Sequence, residues 1–137
     1  MSRDEYEKSL DSLLKKTRIL QFKAYKKRLP VIIAFEGCDA AGKGGAIRRL
    51  VQGLDPRGFE VIPIAAPSGI EKKHHYLRRF WNRFPKAGHF AIFDRTWYGR
   101  VLVERVENFC SENEWARAYA EINEMEKYLT ENGTLII

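Results

Sequence analysis

The chain has 137 residues, 45% of them hydrophobic and 31% charged, proportions that fit one folded domain and exclude a disordered or fibrous chain. No apolar run approaches the roughly 18 residues of a membrane helix, and the charged start MSRDEYEKSL lacks a signal-peptide core. A formal charge of +6 favours polyanionic partners, although charge alone fits a merely basic surface equally. Cys38 and Cys110 show no metal-ligand spacing, and a cytoplasmic location, where thiols stay reduced, is expected.

Residues 4–28 predict a helix, with Tyr6, Leu10, Leu13, Leu14, Leu20 and Ala24 on its buried stripe and lysines crowding the other positions. Pro30 stops it. Val31–Phe35 is a continuous apolar run, the pattern of a strand covered on both faces, and Glu36 with Gly37 ends it. A glycine-rich stretch leads into a helix over 46–51, stopped near Gly53. Phe59–Ala66 reads as the second strand. A helix is expected over 71–84, its stripe of Tyr76, Leu77, Phe80, Trp81 and Phe84 serving as core rather than as a base-stacking platform. His74 and His75 are neighbours without an acidic companion at ligand spacing, so they are not read as a metal site. His89–Phe93 is the third strand, ending in Asp94. A helix over 101–109 follows. Ser111 with Glu114 forms a capping box that opens a helix reaching Asn132, Gly133 closes it, and Thr134–Ile137 begins a fourth strand.

Strands alternating with helices imply a mostly parallel sheet with helices on both faces. The expected architecture is α/β, a three-layer αβα domain of the P-loop NTPase/kinase-like kind. It forms a single domain over 1–137, with an N-terminal helix in 1–29 and a nucleotide- and polyphosphate-binding core in 30–137. A last strand with no covering helix leaves an edge exposed, so the chain is expected to be truncated after the fourth strand.

The chemistry centres on Gly37–Gly45. A G-x-x-x-x-G-K match between a strand and a helix gives a concave set of backbone N–H groups at a helix N-terminus, with Lys43 as a point charge for phosphate. Gly44 stands where the common loop has a Ser or Thr for Mg²⁺, and Asp39 lies inside the loop instead. Asp94 has the position of a Walker-B carboxylate. In an open α/β sheet, sites form beyond the C-terminal strand ends, so Asp39 and Asp94 converge if their strands are neighbours. Two aspartates and several waters suit Mg²⁺. Arg95 and Arg100 follow on the same loop, and Arg matches phosphate oxygens bidentately.

GCDAAGKGGAIRRL at 37–50, AAPSG at 65–69, HHYLRRFW at 74–81 and FDRTWYGRVLVERVENF at 93–109 together resemble the polyphosphate kinase 2 family, most of all its polyphosphate:AMP phosphotransferase branch. The resemblance runs from about Leu20 onward. It implies phosphoryl transfer between inorganic polyphosphate and a nucleoside mono- or diphosphate, AMP to ADP first and ADP to ATP second, with Mg²⁺ or Mn²⁺. It implies metal duty for Asp39 and Asp94 and stabilisation of the migrating group by Lys43 and Arg95. The phosphate cradle is then Gly37, Ala40, Ala41, Gly42, Gly44 and Gly45 with Arg100, while Pro67, Ser68 and Glu104 serve the nucleotide. A homo-oligomer is also implied. Thr96 replaces the family's usual Ser, Arg78 stands where Trp is common, and the family's C-terminal helical lid is absent.

Two other classes compete. One is a catalytically inactive polyphosphate- or nucleotide-binding module. The other is nucleic-acid binding through the basic surface, which no helix-turn-helix, zinc or RNA-binding signature supports.

Overall fold

The computed structural model describes residues 1–38 and 40–137. Four strands, β1 (Val31–Phe35), β2 (Phe59–Pro63), β3 (Phe90–Asp94) and β4 (Leu135–Ile136), form one sheet in the order β2-β3-β1-β4. Every pairing is parallel. In register, Phe35 of β1 and Pro63 of β2 both stand opposite Asp94 of β3. Three strands therefore end level with one another around the Asp94 position. β3 is central, and Ile92 and Phe93 are fully buried, as a strand covered on both faces requires.

Side chains alternate between the two faces of each strand, and the cores divide accordingly. Val31, Phe90 and Ile92 pack with Ala24, Ile47 and Leu54, contributed by α1 (Arg3–Lys26), α2 (Lys43–Gln52) and the turn after it. Ile32, Ile62, Ala91 and Phe93 pack on the other side with Leu77, Phe80, Trp97, Ala118, Ile122, Met125 and Leu129. These come from the 71–84 segment, the turn after β3 and α5 (Glu112–Glu131). The result is the expected αβα sandwich.

On the α5 side the aromatic rings carry much of the packing. Phe80, Phe84 and Phe93 surround Trp97 with ring centroids 5.7, 5.9 and 5.7 Å from it, in the edge-on arrangements that aromatic quadrupoles favour. The indole N–H of Trp97 donates to Glu126 Oε1 at 2.8 Å, so the buried ring leaves no polar atom unpaired. Tyr98 also donates to that carboxylate. Burial first, then Glu126, pushes the Tyr98 phenol up to about 12.

Several elements depart from the pattern read in the sequence. The 71–84 segment is not one helix. Ser68 and Glu71 bond each other at the start of a single 3-10 turn, Glu71–Lys73, through Ser68 N–H to Glu71 Oε2 (2.8 Å) and Glu71 N–H to Ser68 Oγ (3.2 Å). His74 is then extended, and the Leu77 N–H donates to His75 Nδ1 instead of a helical carbonyl. A short helix, α3 (Arg78–Trp81), follows. The kink lets Tyr76, Leu77, Phe80 and Phe84 all reach the core, a tertiary gain that overrides propensity. Trp81 is the exception and stays 42% exposed. The expected 101–109 helix shrinks to α4 (Val103–Val106), which follows a separate 3-10 turn at Trp97–Arg100. Leu102 between them is non-helical.

The buried face of α1 also differs. Gln21 and Ala24 are its buried residues, whereas Leu13 and Leu20 are 57% and 60% exposed. Gln21 is buried because it is satisfied: Nε2 donates to Asp55 O (3.1 Å) and Oε1 accepts from Asp55 N–H (2.7 Å). The second strand stops at Pro63 rather than Ala66. No described helix is long and apolar enough to cross a membrane.

Candidate active site

β1 delivers the chain to Gly37, which has φ +148°, and the loop enters α2 through Gly42 at φ +87°. Both conformations lie in the region that side chains avoid. Gly42 is the N-cap of α2 and offers no side chain to the first helical N–H groups. Those donors, and the positive end of the helix dipole, are thus left for an anion. A Cβ built at Gly44 would meet no atom within 4 Å, so the space above the helix start is open.

Lys43 begins the helix and folds back over the loop. Its ammonium donates to the carbonyls of Gly37 (2.7 Å) and Cys38 (2.9 Å). Across the sheet, Asp94 closes β3 directly beside the end of β1, and its carbonyl accepts the Ile64 N–H at 3.0 Å. Arg95 comes next with φ +68°, and its N–H donates to Phe35 O at 2.9 Å. Ala40, Ala41, Gly42, Lys43, Gly44, Asp94 and Arg95 line one open cleft of about 560 Å³, walled on the far side by Pro63, Ile64 and Ala65. The cleft sits beyond the C-terminal ends of β1, β2 and β3, the place an open α/β sheet reserves for ligands.

Seven of the residues expected from sequence therefore share one cavity. Gly37 and Gly45 belong to the same loop and helix without lining it. Asp39 lies outside the described residues. Arg100 does not line the cleft. Its side chain is 15% exposed, with Nε 3.2 Å from Glu104 Oε2 and Nη1 3.8 Å from Glu114 Oε1, and its guanidinium stacks 4.4 Å from the Tyr76 ring centroid. The Nε is not aligned for a hydrogen bond, so the Glu104 contact is Coulombic. Glu104 is thereby engaged as the partner of Arg100. Burial and Glu121 push the Tyr76 phenol well above its usual range, which keeps it neutral beneath the cation. Pro67 and Ser68 stand on the loop beyond β2 and do not line the cleft either. The Ser68 hydroxyl serves the 3-10 turn.

The basic residues of the 71–83 segment are partly committed as well. Arg79 donates to Ala65 O at 2.9 Å and lies 3.3 Å from Glu71, while Arg83 pairs with Glu60. Arg79 thus ties the kinked segment to a wall residue of the cleft. Among the described residues no group of three or more His, Cys, Asp or Glu is placed to hold a metal ion.

Sequence reasoning passed over Glu36, which it read only as the end of a strand. In the structure one carboxylate oxygen of Glu36 accepts from both the N–H and the Oγ1 of Thr96, each at 2.8 Å. Thr96 is 4% exposed and its hydroxyl in turn accepts the Tyr98 N–H at 3.1 Å. A carboxylate at the very end of an apolar strand, next to the loop, was the available signal.

Comparison with known proteins agrees with this geometry. The polyphosphate kinase 2 (PPK2) family model matches residues 1–137. A polyphosphate:AMP phosphotransferase of Pseudomonas syringae pv. tomato is 60% identical over 107 residues, covering 78% of this chain and 22% of its own length. A GDP-polyphosphate phosphotransferase of Pseudomonas aeruginosa is 38% identical over 99% of this chain and 38% of its own. A crystal structure described as a polyphosphate kinase 2 from Pseudomonas aeruginosa PA01 superposes with a TM-score of 0.94 at 46% identity, covering 99% of this chain and 30% of that one. This chain therefore spans well under half the length of these relatives. Strand order, phosphate loop and sequence match agree: the chain belongs to the polyphosphate kinase 2 family.

Proposed function

We propose that the protein transfers a phosphoryl group between inorganic polyphosphate and a nucleotide, with AMP the favoured acceptor and ADP the second. One observation carries the reading: Gly42–Gly44 with Lys43, Asp94 and Arg95 line a single open cleft at the strand ends. A terminal phosphate oxygen of the nucleotide forms the new P–O bond as the bond to the bridging oxygen of polyphosphate breaks, leaving a chain one phosphate shorter. The acceptor oxygen is already anionic at neutral pH, so no strong general base is needed. The protein's part is to align the groups and to neutralise charge on the equatorial oxygens. The loop N–H groups of α2 hold phosphate, and Lys43 and Arg95 stabilise the migrating group.

Mg²⁺ fits the donor set, since it takes few carboxylates and completes its shell with water and phosphate oxygens. Asp94, on the cleft wall, and Asp39 would hold it, and it would neutralise phosphate charge. The excess of basic side chains, +6 overall, suits two polyanionic substrates. A cytoplasmic setting and a homo-oligomeric state belong to the same reading.

The test uses this 137-residue chain with isotope-labelled polyphosphate, offered with AMP, ADP, GMP or GDP in turn. Label in ADP from AMP is the expected result. Binding of polyphosphate without labelled nucleotide from any acceptor supports the inactive-module reading instead.

A further inference from the structure

The two halves of the cleft come from different strands, which the parallel ladder joins as far as the Phe35–Asp94 pair. The Asp94-Arg95 turn is in a costly conformation. Arg95 has φ +68°, a region in which a side chain bearing a Cβ is strained. Such a residue persists only when its neighbours over-determine it. Two contacts among the described residues contribute here. On one side the Arg95 N–H is held by Phe35 O at 2.9 Å. On the other, Thr96 is held through both its N–H and its hydroxyl by Glu36 Oε2, each at 2.8 Å.

Phe35 and Glu36 are consecutive, so the last two residues before the phosphate loop grip the two residues after Asp94. The second Glu36 oxygen lies 3.4 Å from the Gly37 N–H, which turns the carboxylate back toward the loop itself. Thr96 passes the constraint on, since its hydroxyl accepts the Tyr98 N–H at 3.1 Å and caps the Trp97–Arg100 turn. The grip is charge-assisted and lies partly out of water, where such bonds are about twice as strong as neutral ones.

We infer that Glu36 is a positioning residue: through Thr96 it holds the left-handed turn at Arg95 and so sets the distance between the Asp94-Arg95 edge and the phosphate loop. It does not line the cleft. Its consequence for turnover rests on the phosphoryl-transfer reading above, whereas the grip itself does not. Thr96 takes part through its hydroxyl, so Ser serves there and Val does not.

The experiment compares wild type with Glu36→Ala, Glu36→Gln, Thr96→Val and Thr96→Ser by amide hydrogen exchange and by steady-state kinetics. Glu36→Ala is expected to speed exchange at the Thr96 amide by about tenfold or more, the factor matching a lost bond to a charged group. It is expected to lower kcat about 100-fold, as misplacement by about an ångström does, with the nucleotide KM within about twofold. Glu36→Gln keeps an acceptor oxygen and recovers most of both. Thr96→Val repeats the kinetic loss with a residue of similar shape, and Thr96→Ser relieves it. A role confined to stability would instead move the melting midpoint and leave kcat of the folded fraction in place, which overturns the inference. So does unchanged Thr96 exchange in Glu36→Ala. If the wild-type chain makes no nucleotide product, the proposed function fails. The grip is then upheld by Thr96 protection that is lost in Glu36→Ala and kept in Glu36→Gln, and overturned by equal protection in all three.

Discussion

The Lys43 ammonium sits 2.7 Å from the carbonyl oxygen of Gly37, six residues before it and on the opposite lip of the phosphate loop. With the 2.9 Å bond to Cys38 O, the cation draws the two ends of the loop together and keeps their carbonyls from facing an incoming phosphate. A phosphate in the cleft competes for the same three donors. Lys43 therefore holds the cradle's shape before binding and supplies charge afterwards.

Replacing Lys43 by Ala removes both contributions. The expected loss of transition-state stabilisation is about 3 kcal/mol or more, the scale seen when one positioned electrostatic donor is deleted. Single-turnover transfer from labelled polyphosphate measures it, and near-wild-type turnover refutes the role. Lys43→Arg is not expected to rescue, because a planar fork cannot reproduce the two carbonyl contacts of a compact ammonium.

Acid should weaken the fold through named carboxylates. The Ser111 N–H and hydroxyl hold the Glu114 carboxyl below its ordinary 4.5, and the Ser68 N–H does the same for Glu71. The Arg57 side chain, and then its N–H, hold Asp55 below its ordinary 3.8. A lowered folded value means that the unfolded chain binds more protons, so this stability is complete above the unfolded pKa and is lost as pH falls through the folded one. The urea midpoint is expected to decline from about pH 5 downward. Glu114→Gln should flatten part of that decline, since it removes one of the titrating groups. An identical acid slope in the variant counts against the Ser111 bond as its source.

How much of this was readable beforehand depends on whether the local signal was also the deciding force. Val31–Phe35 was legible because a doubly covered strand must be continuously apolar, and its bounds agree with the structure. The Ser111–Glu114 capping box opens α5 as its spacing implied, and Gly133 takes the left-handed conformation after the helix. The 71–84 and 101–109 segments differ from their reading because packing around Trp97 and the Leu77 N–H bond to His75 interrupt the first, while the Thr96-capped turn hands on to a non-helical Leu102 before the second. None of those partners is visible in a helical period. In the site, the loop, Asp94 and Arg95 were legible from motif and order. Arg100 points into a cluster with Glu104, Glu114 and Tyr76, partners that only the fold brings together. Glu36 escaped notice because an acidic residue at a strand end has no distinctive spacing.

Two glycines separate the needs of the fold from those of the site. Gly53 is buried where α2 ends against α1, and a Cβ there would meet Leu14 O at 2.8 Å and Leu14 Cα at 3.0 Å. Those are backbone atoms that cannot swing aside, so Gly53→Ala should cost about 1–3 kcal/mol, the usual toll of overpacking. Gly44 lies in the first turn of α2 with open space around its Cβ position. Gly44→Ala should stabilise by about 0.4–1 kcal/mol through the unfolded chain, while its methyl intrudes on the cleft and weakens polyphosphate binding. Urea melts and polyphosphate titrations on both variants should move in opposite senses for Gly44→Ala. A parallel loss of stability and binding there would show that the open space belongs to the fold and not to a ligand.

Gln21 offers the sharpest test of how α1 is held. Its amide makes a two-way bridge to the backbone of Asp55, with bonds of 2.7 and 3.1 Å, and thereby fixes α1 to the turn that starts β2. A Cβ at Gly58 would lie 2.6 Å from Gln21 Nε2, so a larger residue there must displace the amide end of Gln21. Gln21→Leu keeps the size and adds apolar surface at a buried position, so a transfer argument alone predicts a gain. Hydrogen-bond accounting predicts the reverse, since the Asp55 N–H and C=O lose their partners, at about 1–3 kcal/mol for each buried group left unsatisfied. Part of that is offset by the apolar gain and by water reaching the half-buried Asp55. A net destabilisation of about 2 kcal/mol is expected, read as a lower urea midpoint with an unchanged slope. The cleft lies at the far ends of the strands, so polyphosphate affinity measured below the unfolding transition should remain that of the wild type. A stabilised Gln21→Leu would mean that apolar packing, and not the Asp55 bridge, docks α1 onto the sheet.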